Sequence, residues 1–250
     1  VWPGNELRVE YHPKNITSHE TNALFDGESI LYHEDGILIV NKPAGLPTVA
    51  TIDNARDNLV TQLKVYLGRD MDRPPVESRP GTSMYLGIHH RLDAPTSGLI
   101  LFTTKEEMNP FAARLFQESL IHKEYLAVCI GGNPTVGKKW EIKNQLARAA
   151  KKKNIYHSSQ EGSFAYSRFE VLAIKDNRAL VRCVPITGRT HQLRVHLSEY
   201  GMPVVGDRTY GGVAAPRLML HAHRLTFRHP HEAHEVVVEA PVPKEFDFFL

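Results

Sequence analysis

The sequence predicts an α+β chain built on a large mixed, mostly antiparallel sheet flanked by short helices. Three observations lead there. Strand-like apolar runs outnumber helical patterns, most of those runs follow one another across short polar turns, and helical spacing is confined to a few brief stretches. A chain of 250 residues with 42% hydrophobic and 23% charged side chains has an ordinary globular balance and can bury a sizeable core.

Residues 1–29 are polar and broken by Pro3 and Pro13, so they read as an arm rather than a core-forming unit, with the main domain expected over 30–250. From Ile30, two β-branched apolar runs flank Asp35-Gly36, a dipeptide that marks a tight hairpin. Leu59, Leu63, Tyr66 and Leu67 repeat at helical spacing, and Gly68 is placed to end that helix. The segment "LGIHHRLD", a proline turn and "GLILFTT" follow as strand, turn and strand. Next comes a helix carrying Phe111, Leu115 and Phe116, for which Asn109 is a cap and Pro110 a first residue. An earlier start at Thr104 with Glu107 as a capping box would put Pro110 inside the helix and kink it.

The runs "IHKEYLAVCI", "FAYSRFEVLAI" and "NRALVRCVPI" read as a successive antiparallel meander. Thr190 is then expected to cap a helix through "HQLRVHLSEY", stopped by Gly201 and Pro203. The end, "LMLHAHRLTF" with "EVVVEAPVP", reads as a hairpin closed by "RHPHEAH". There is no internal repeat and no low-complexity stretch.

Charge and composition exclude some classes. No stretch approaches the roughly 18 uninterrupted apolar residues of a membrane span, and the start lacks a basic region followed by an apolar one. The expectation is a soluble cytoplasmic protein, monomeric by default. Cys129 and Cys183 lie in separate apolar runs without metal or redox spacing, which suits buried free thiols in a reducing compartment. A net charge of +2 neither demands nor excludes a polyanion. Locally, Lys138 to Lys153 carries seven cations against the single acid Glu141, either as a solvated loop or hairpin edge or as a phosphate-tracking surface.

Several residues stand out for chemistry. Asp93 sits between a strand-like segment and the Pro95-Thr96-Ser97-Gly98 turn, where it either caps the turn or serves as a functional carboxylate at the lip of a sheet. Arg189 and His191 lie at a helix entrance, a place that attracts anions. Arg194 in the first turn would pair with a carboxylate if it faces the cleft, or would otherwise be a surface arginine. Tyr125 is either a core tyrosine or a stacking platform for a planar base. His221 and His223 share a strand face and precede His229, His231 and His234, but no familiar metalloenzyme spacing appears, so surface or hydrogen-bonded core histidines are expected and no metal.

Together, "HHRLDAPTSGLILFT", "HKEYLAVC" and "TGRTHQLRVHLSEYGMPVVGDRTYGG", with "VNKPAGLPT" before them and "LHAHRLTFRHP" after, resemble the ordered motifs of the RluA-like RNA pseudouridine synthases. The resemblance runs from about Ile30 to the C-terminus; the family's H-R-L-D-x-x-T-S-G matches at His90 to Asp93 and Thr96 to Gly98, with Ala94 and Pro95 at the variable places. It implies a pseudouridine synthase fold with a central catalytic cleft, and isomerisation of uridine in structured RNA, ribosomal more than transfer RNA, without a cofactor. Asp93 would be the catalytic aspartate, Tyr125 would stack on the uracil and assist proton removal, and Arg194 would partner Asp93. Arg91 would fill the space left by the flipped nucleotide, with His90, Lys42, Arg189, His191 and Gln192 as further RNA contacts. Relatives often carry an S4-type RNA-binding module, and "VWPGNELRVEYHP" resembles the tail of one. Two other readings remain at this point: an RNA-binding or ribosome-assembly factor that retains the fold, and a metal-dependent hydrolase built on the C-terminal histidines.

Overall fold

The computed structural model describes residues 25–50, 57–68, 85–150, 154–232 and 234–249. The arm expected over 1–29, apart from residues 25–29, therefore lies outside the described residues, as do Lys151, Lys152 and Lys153.

Local chemistry sets the first hairpin. Asp35 and Gly36 both take positive φ, 47° and 78°, so the turn twists with its strands β1 (Ile30–Glu34) and β2 (Ile37–Lys42). Strand β2 pairs antiparallel with β4 (Ser97–Thr103), in which every residue is buried. Helix α1 (Leu59–Leu67) and the pair Leu38 and Val40 pack with Ile100 and Phe102, whereas Ile37, Ile39, Leu99 and Leu101 pack with α2 (Asn109–Gln117). Covering on both faces explains why "GLILF" is apolar without alternation. One edge of β4 is divided: the short strand β3 (Gly87–Ile88) pairs at Thr103 and Phe102, and β10 (Leu220–Arg228) pairs in parallel at Ser97 and Gly98. The connection from β3 to β4, which carries Asp93, emerges where these two neighbours meet the strand.

The remaining strands are β5 (His122–Ile130), β6 (Lys139–Arg148), β7 (Tyr156–Ser158), β8 (Ser163–Lys175), β9 (Arg178–Pro185) and β11 (Glu235–Glu239). The sheet runs β1-β2-β4-β10-β5-β9-β8-β6-β7, with β11 also on β10, and all pairings described except β4–β10 are antiparallel. Helix α3 (Gln192–Glu199) covers the β5–β9–β8 face, burying Leu193 and Leu197 with Val181, Cys183 and Phe169. Both thiols are buried and free, and burial pushes both up in pKa.

Several expectations need correction. The three runs after α2 do not form a simple meander: β8 and β9 make a hairpin, but β5 pairs with β9, and β6 and β7 lie beyond β8. Of the alternatives for the cationic stretch from Lys138, the described part up to Arg148 is mostly strand β6, paired with β7 as a hairpin at the end of the sheet. Asn109 does not cap α2; it is helical, and its side chain accepts from the Thr103 hydroxyl at 2.6 Å and donates to the Tyr85 hydroxyl. Thr190 does not cap α3 either. His191 occupies the cap position in the left-handed region at φ 57°, and the Gln192 side chain accepts from the Arg189 amide.

Two polar histidines are enclosed by this packing. His196 bridges Ser167 and Asn144, and His221 bonds Ser97 at 2.8 Å; burial lowers their pKa values to about 4 and about 3. Both are neutral in the folded protein, so below their ordinary value of 6.5 unfolding takes up protons. Stability is therefore expected to fall as pH drops from 6.5 towards 4, by up to about 1.4 kcal/mol per pH unit for each histidine. Urea unfolding across that range checks this, and His196→Asn should flatten the slope. A second prediction concerns Gly98, whose φ is +110° and whose added Cβ would lie 2.2 Å from the Ala222 carbonyl oxygen. Gly98→Ala is expected to cost about 2 to 4 kcal/mol, read as a shift of the urea midpoint.

Candidate active site

Asp93 is held from below by its own loop and a neighbouring one. The Thr96 amide donates to the Asp93 carbonyl at 3.0 Å, and Thr48 exchanges hydrogen bonds with both backbone groups of Leu92. Gly45 donates to the Ala94 carbonyl. Lys42 completes this arrangement: its fully buried ammonium donates to the carbonyls of Pro43 and Leu46 at 2.8 Å and of Ala94 at 3.1 Å. Burial pulls the Lys42 pKa down to about 7, against the opposing pull of Asp93. All three ammonium hydrogens are claimed by these carbonyls, so Lys42 is a clamp between the 43–47 and 93–96 segments rather than the expected RNA contact.

Helix α3 brings the counter-charge. Arg194 Nη1 donates to Asp93 Oδ2 at 3.1 Å, while its Nε and Nη2 form a fork to Asp207 at 2.7 and 2.9 Å. The Asp207 side chain is fully buried and also accepts from the amides of Thr209 and Tyr210. The Tyr210 ring lies 5.0 Å from the guanidinium. Burial works against the Arg194 charge, but Asp207 and Asp93 outweigh it and raise its pKa. Arg194 is thus a fixed cation with two directions: one fork locks it to Asp207 and the remaining nitrogen faces Asp93.

His191 approaches Asp93 from the other side, with Nε2 at 3.6 Å from Oδ2. The Tyr210 hydroxyl accepts from the Tyr156 amide at 2.9 Å and lies 2.8 Å from His191 Nδ1. A neutral ring that turns Nε2 towards a carboxylate carries its hydrogen there, which leaves Nδ1 to accept from the Tyr210 hydroxyl. Burial lowers the His191 pKa despite Asp93, so the ring is neutral at pH 7.

These groups open onto a cleft of about 1610 Å³ that Asp93, Tyr125, Arg194, Arg91, Arg189 and His191 line. The volume exceeds the roughly 300–1,000 Å³ typical of small-molecule sites and suits a macromolecular substrate. Tyr125, on β5, lies in the wall; burial and then Asp93 push its phenol up, so it is protonated. Arg91 is exposed at the rim. His90 and Gln192 also line the cleft, but His90 Nε2 and the Gln192 amide are used internally. His90 Nε2 accepts from the Leu101 amide at 2.8 Å and its ring stacks on Phe116, while Gln192 bonds Thr187, Arg189, Tyr166 and Ser167. Both shape the wall that the exposed groups occupy.

Sequence reading missed Asp207, Tyr210 and Lys123. Lys123 alternates with Tyr125 on β5, lines the cleft beside Phe116, and has its pKa lowered by burial. The C-terminal histidines do not converge. His221 bonds Ser97, His223 bonds the Ala240 carbonyl, and the rings of His229 and His234 stack at 4.9 Å and 14°. The ligating atoms of His229, Glu232 and His234 lie within 4.8 Å of one another, yet near-parallel stacked rings cannot aim both in-plane lone pairs at one ion.

The family model described as RNA pseudouridylate synthase matches residues 36–199. The ribosomal large subunit pseudouridine synthase C of Salmonella typhi is 32% identical, over 97% of this chain and 77% of its own. The dual-specificity RNA pseudouridine synthase RluA of Escherichia coli K12 is 34% identical, over 85% and 92%. Among solved structures, human RNA pseudouridylate synthase domain containing 1 superposes with TM-score 0.68 at 29% identity, covering 88% of this chain and 85% of that one. Human domain containing 4 has the same TM-score at 23% identity, covering 91% and 92%, and shares the fold. A carboxylate set in an open basic cleft, a family match across most of the sheet and relatives above 30% identity over nearly the whole chain lead to one assignment: this protein belongs to the RNA pseudouridylate synthase family.

Proposed function

We propose that this chain isomerises uridine to pseudouridine in structured RNA, with large-subunit ribosomal RNA favoured over transfer RNA, and that residues 30–250 form its catalytic domain. The observation that carries the proposal is Asp93, ion-paired to Arg194 at 3.1 Å on the floor of an open cleft beside Tyr125. Similarity to synthases named for the ribosomal large subunit supports the choice of RNA. A cytoplasmic monomer is the simplest setting, and no described helix is long and apolar enough to cross a membrane.

The reaction breaks the N1–C1′ bond, turns the uracil and joins C5 to C1′. The product is an isomer of the substrate, with the proton lost from C5 balanced by one gained at N1 and no net redox change, so the residue types present match its demands. An ionised carboxylate is required at C1′ or at the base, and Asp93 is its source, as nucleophile. Arg194 Nη1 and His191 Nε2 face the Asp93 carboxylate at 3.1 and 3.6 Å. Tyr125 offers a flat surface to the uracil. Because it is held protonated, its hydroxyl can take the C5 proton only while passing its own proton on. The uridine must first leave its stack, at a cost of a few kcal/mol that base stacking and phosphate contacts offset. Arg91, Arg189 and Lys123 at the cleft are placed to supply the latter.

The test uses total RNA from a strain lacking this protein, incubated with wild type or Asp93→Asn without added metal or cofactor, and mapped for pseudouridine at single-nucleotide resolution. The expected result is a new site with wild type only. RNA binding by both proteins with no new site from either would instead support a factor that acts by binding.

A further inference from the structure

One end of the cleft holds two hydrogen-bond donors that no described protein group takes up. Lys123 stands two positions before Tyr125 on β5, about 7 Å along the strand and on the same face, and both side chains line the cleft. His90, three residues before Asp93 in the connection from β3 to β4, lines it too. Phe116 of α2 joins them: the His90 ring stacks on it at 4.4 Å and 27°, and Lys123 Nζ lies 6.0 Å from the same ring centroid. This corner is built, not loose. The Ser119 hydroxyl after α2 donates to the Ile186 carbonyl at 3.2 Å, and a Cβ added at Gly188 would lie 4.0 Å from Lys123 Nζ, so the ammonium sits against the cleft-lining segment 186–189.

The two donors differ in charge. Among the described residues, none accepts a hydrogen bond from the Lys123 ammonium or pairs with its charge. Burial lowers its pKa with no carboxylate opposing, whereas the Asp93 charge reaches Tyr125, Lys42 and His191. Lys42 shows the contrast, since all three of its hydrogens meet carbonyls. His90 Nε2 accepts from the Leu101 amide at 2.8 Å, which puts the ring hydrogen on Nδ1. Burial, then the Lys123 charge, lowers the His90 pKa to about 3, so the ring stays neutral. Its Nδ1 hydrogen has no partner among the described residues. A half-buried cation without acceptors is costly until an anion meets it. A uracil carbonyl brings no charge; a phosphodiester brings one negative charge to the one positive charge here, and a second oxygen to the imidazole.

We propose that Lys123 and His90 form a subsite for one backbone phosphate of the substrate RNA beside the target uridine, with the ammonium on one non-bridging oxygen and the His90 Nδ1 hydrogen on the other. The proposal rests on the RNA reading above and deepens it. It gives Lys123 a single phosphate to hold, and gives His90 a role that its internal bond to β4 serves by fixing the tautomer.

The subsite is tested in Asp93→Asn protein, so that no turnover intervenes, with a fluorescein-labelled oligouridylate of about ten nucleotides and Kd measured by anisotropy at several salt concentrations. Adding Lys123→Met is expected to weaken binding about 10- to 100-fold and to lower the salt slope by about 0.7, the share of one phosphate on a single strand. Lys123→Arg should keep the slope. His90→Phe, which leaves a ring on Phe116, should weaken binding with the slope unchanged, because the donor it loses is neutral. Urea unfolding separates these effects from misfolding: Lys123→Met should be at least as stable as its parent, since it removes a charge without a partner, and a clear loss of stability would count against the subsite.

A second arm locates the phosphate. In the RNA fragment where the wild type acts, each linkage in turn is replaced by an uncharged methylphosphonate. One linkage is expected whose replacement weakens binding about 10- to 100-fold with Lys123 present and leaves the affinity of Lys123→Met unchanged. A Lys123→Met loss that is the same on every fragment would hand the ammonium to a base and overturn the subsite. Kd and slope unaltered in Lys123→Met, or Kd unaltered in folded His90→Phe, overturn it as well. The two readings fail separately: pseudouridine from the wild type with RNA binding unaltered in Lys123→Met removes the subsite alone, whereas Lys123-dependent binding with the lowered slope, but no pseudouridine from the wild type, removes the isomerase reading alone.

Discussion

One guanidinium shared between two carboxylates is the constraint on which the site depends. Arg194 cannot be buried as a charge without a partner, because desolvation of an unpaired ion costs several kcal/mol. Asp207, itself fully buried, supplies that partner through a two-bond fork and is in turn satisfied by two backbone amides. The third nitrogen is left with one direction open, and Asp93 occupies it. The aspartate thus meets a positive charge that cannot swing away. His191 adds a neutral donor on the far side, aligned by the Tyr210 hydroxyl.

That geometry needs a frame that places residues 93, 194 and 207 together. The frame is the middle of the sheet, where β4 meets β10 through the only parallel pairing among the described residues and where Gly98 lets the backbones approach. Lys42 then fastens the loop after β2 to the loop that bears Asp93, so the Asp93 backbone is tied on both sides. On the helix side, Gln192 uses its whole amide to knit residues 187 and 189 to the 166–167 stretch of β8, which sets the start of α3 without a hydroxyl cap. Polar groups buried this densely are tolerable only because nearly all are paired.

The legibility of these features in the sequence follows their range. Asp35-Gly36 was readable because a two-residue turn is decided by its own dihedrals, and the continuous apolar run of β4 by its burial on both faces. The β5–β9 pairing was not, because nothing local tells a strand to pass over its successor and pair with a later one. Asp93, Tyr125 and Arg194 were named through motif order, and the sequence left each with a bland alternative; the structure places all three at one cleft. Lys42 and Gln192 were grouped with RNA contacts because motif position does not report burial. Asp207 left no signal beyond an aspartate followed by amides two and three residues on, a spacing shared with many turns, and its fork to a residue thirteen positions earlier exists only in three dimensions.

The most direct test of the shared-cation account compares Arg194→Met with Arg194→Met/Asp207→Asn, by urea unfolding and by single-turnover pseudouridine formation at saturating RNA. Arg194→Met strands the buried Asp207 charge and should lose about 3 to 5 kcal/mol of stability, with turnover down about 100-fold or more. The double variant should recover most of the stability, since a neutral amide in place of the carboxylate still accepts from the Thr209 and Tyr210 backbone N–H groups, while turnover stays low because Asp93 still lacks its cation. Turnover that returns together with stability would contradict the account and reduce Arg194 to a structural residue.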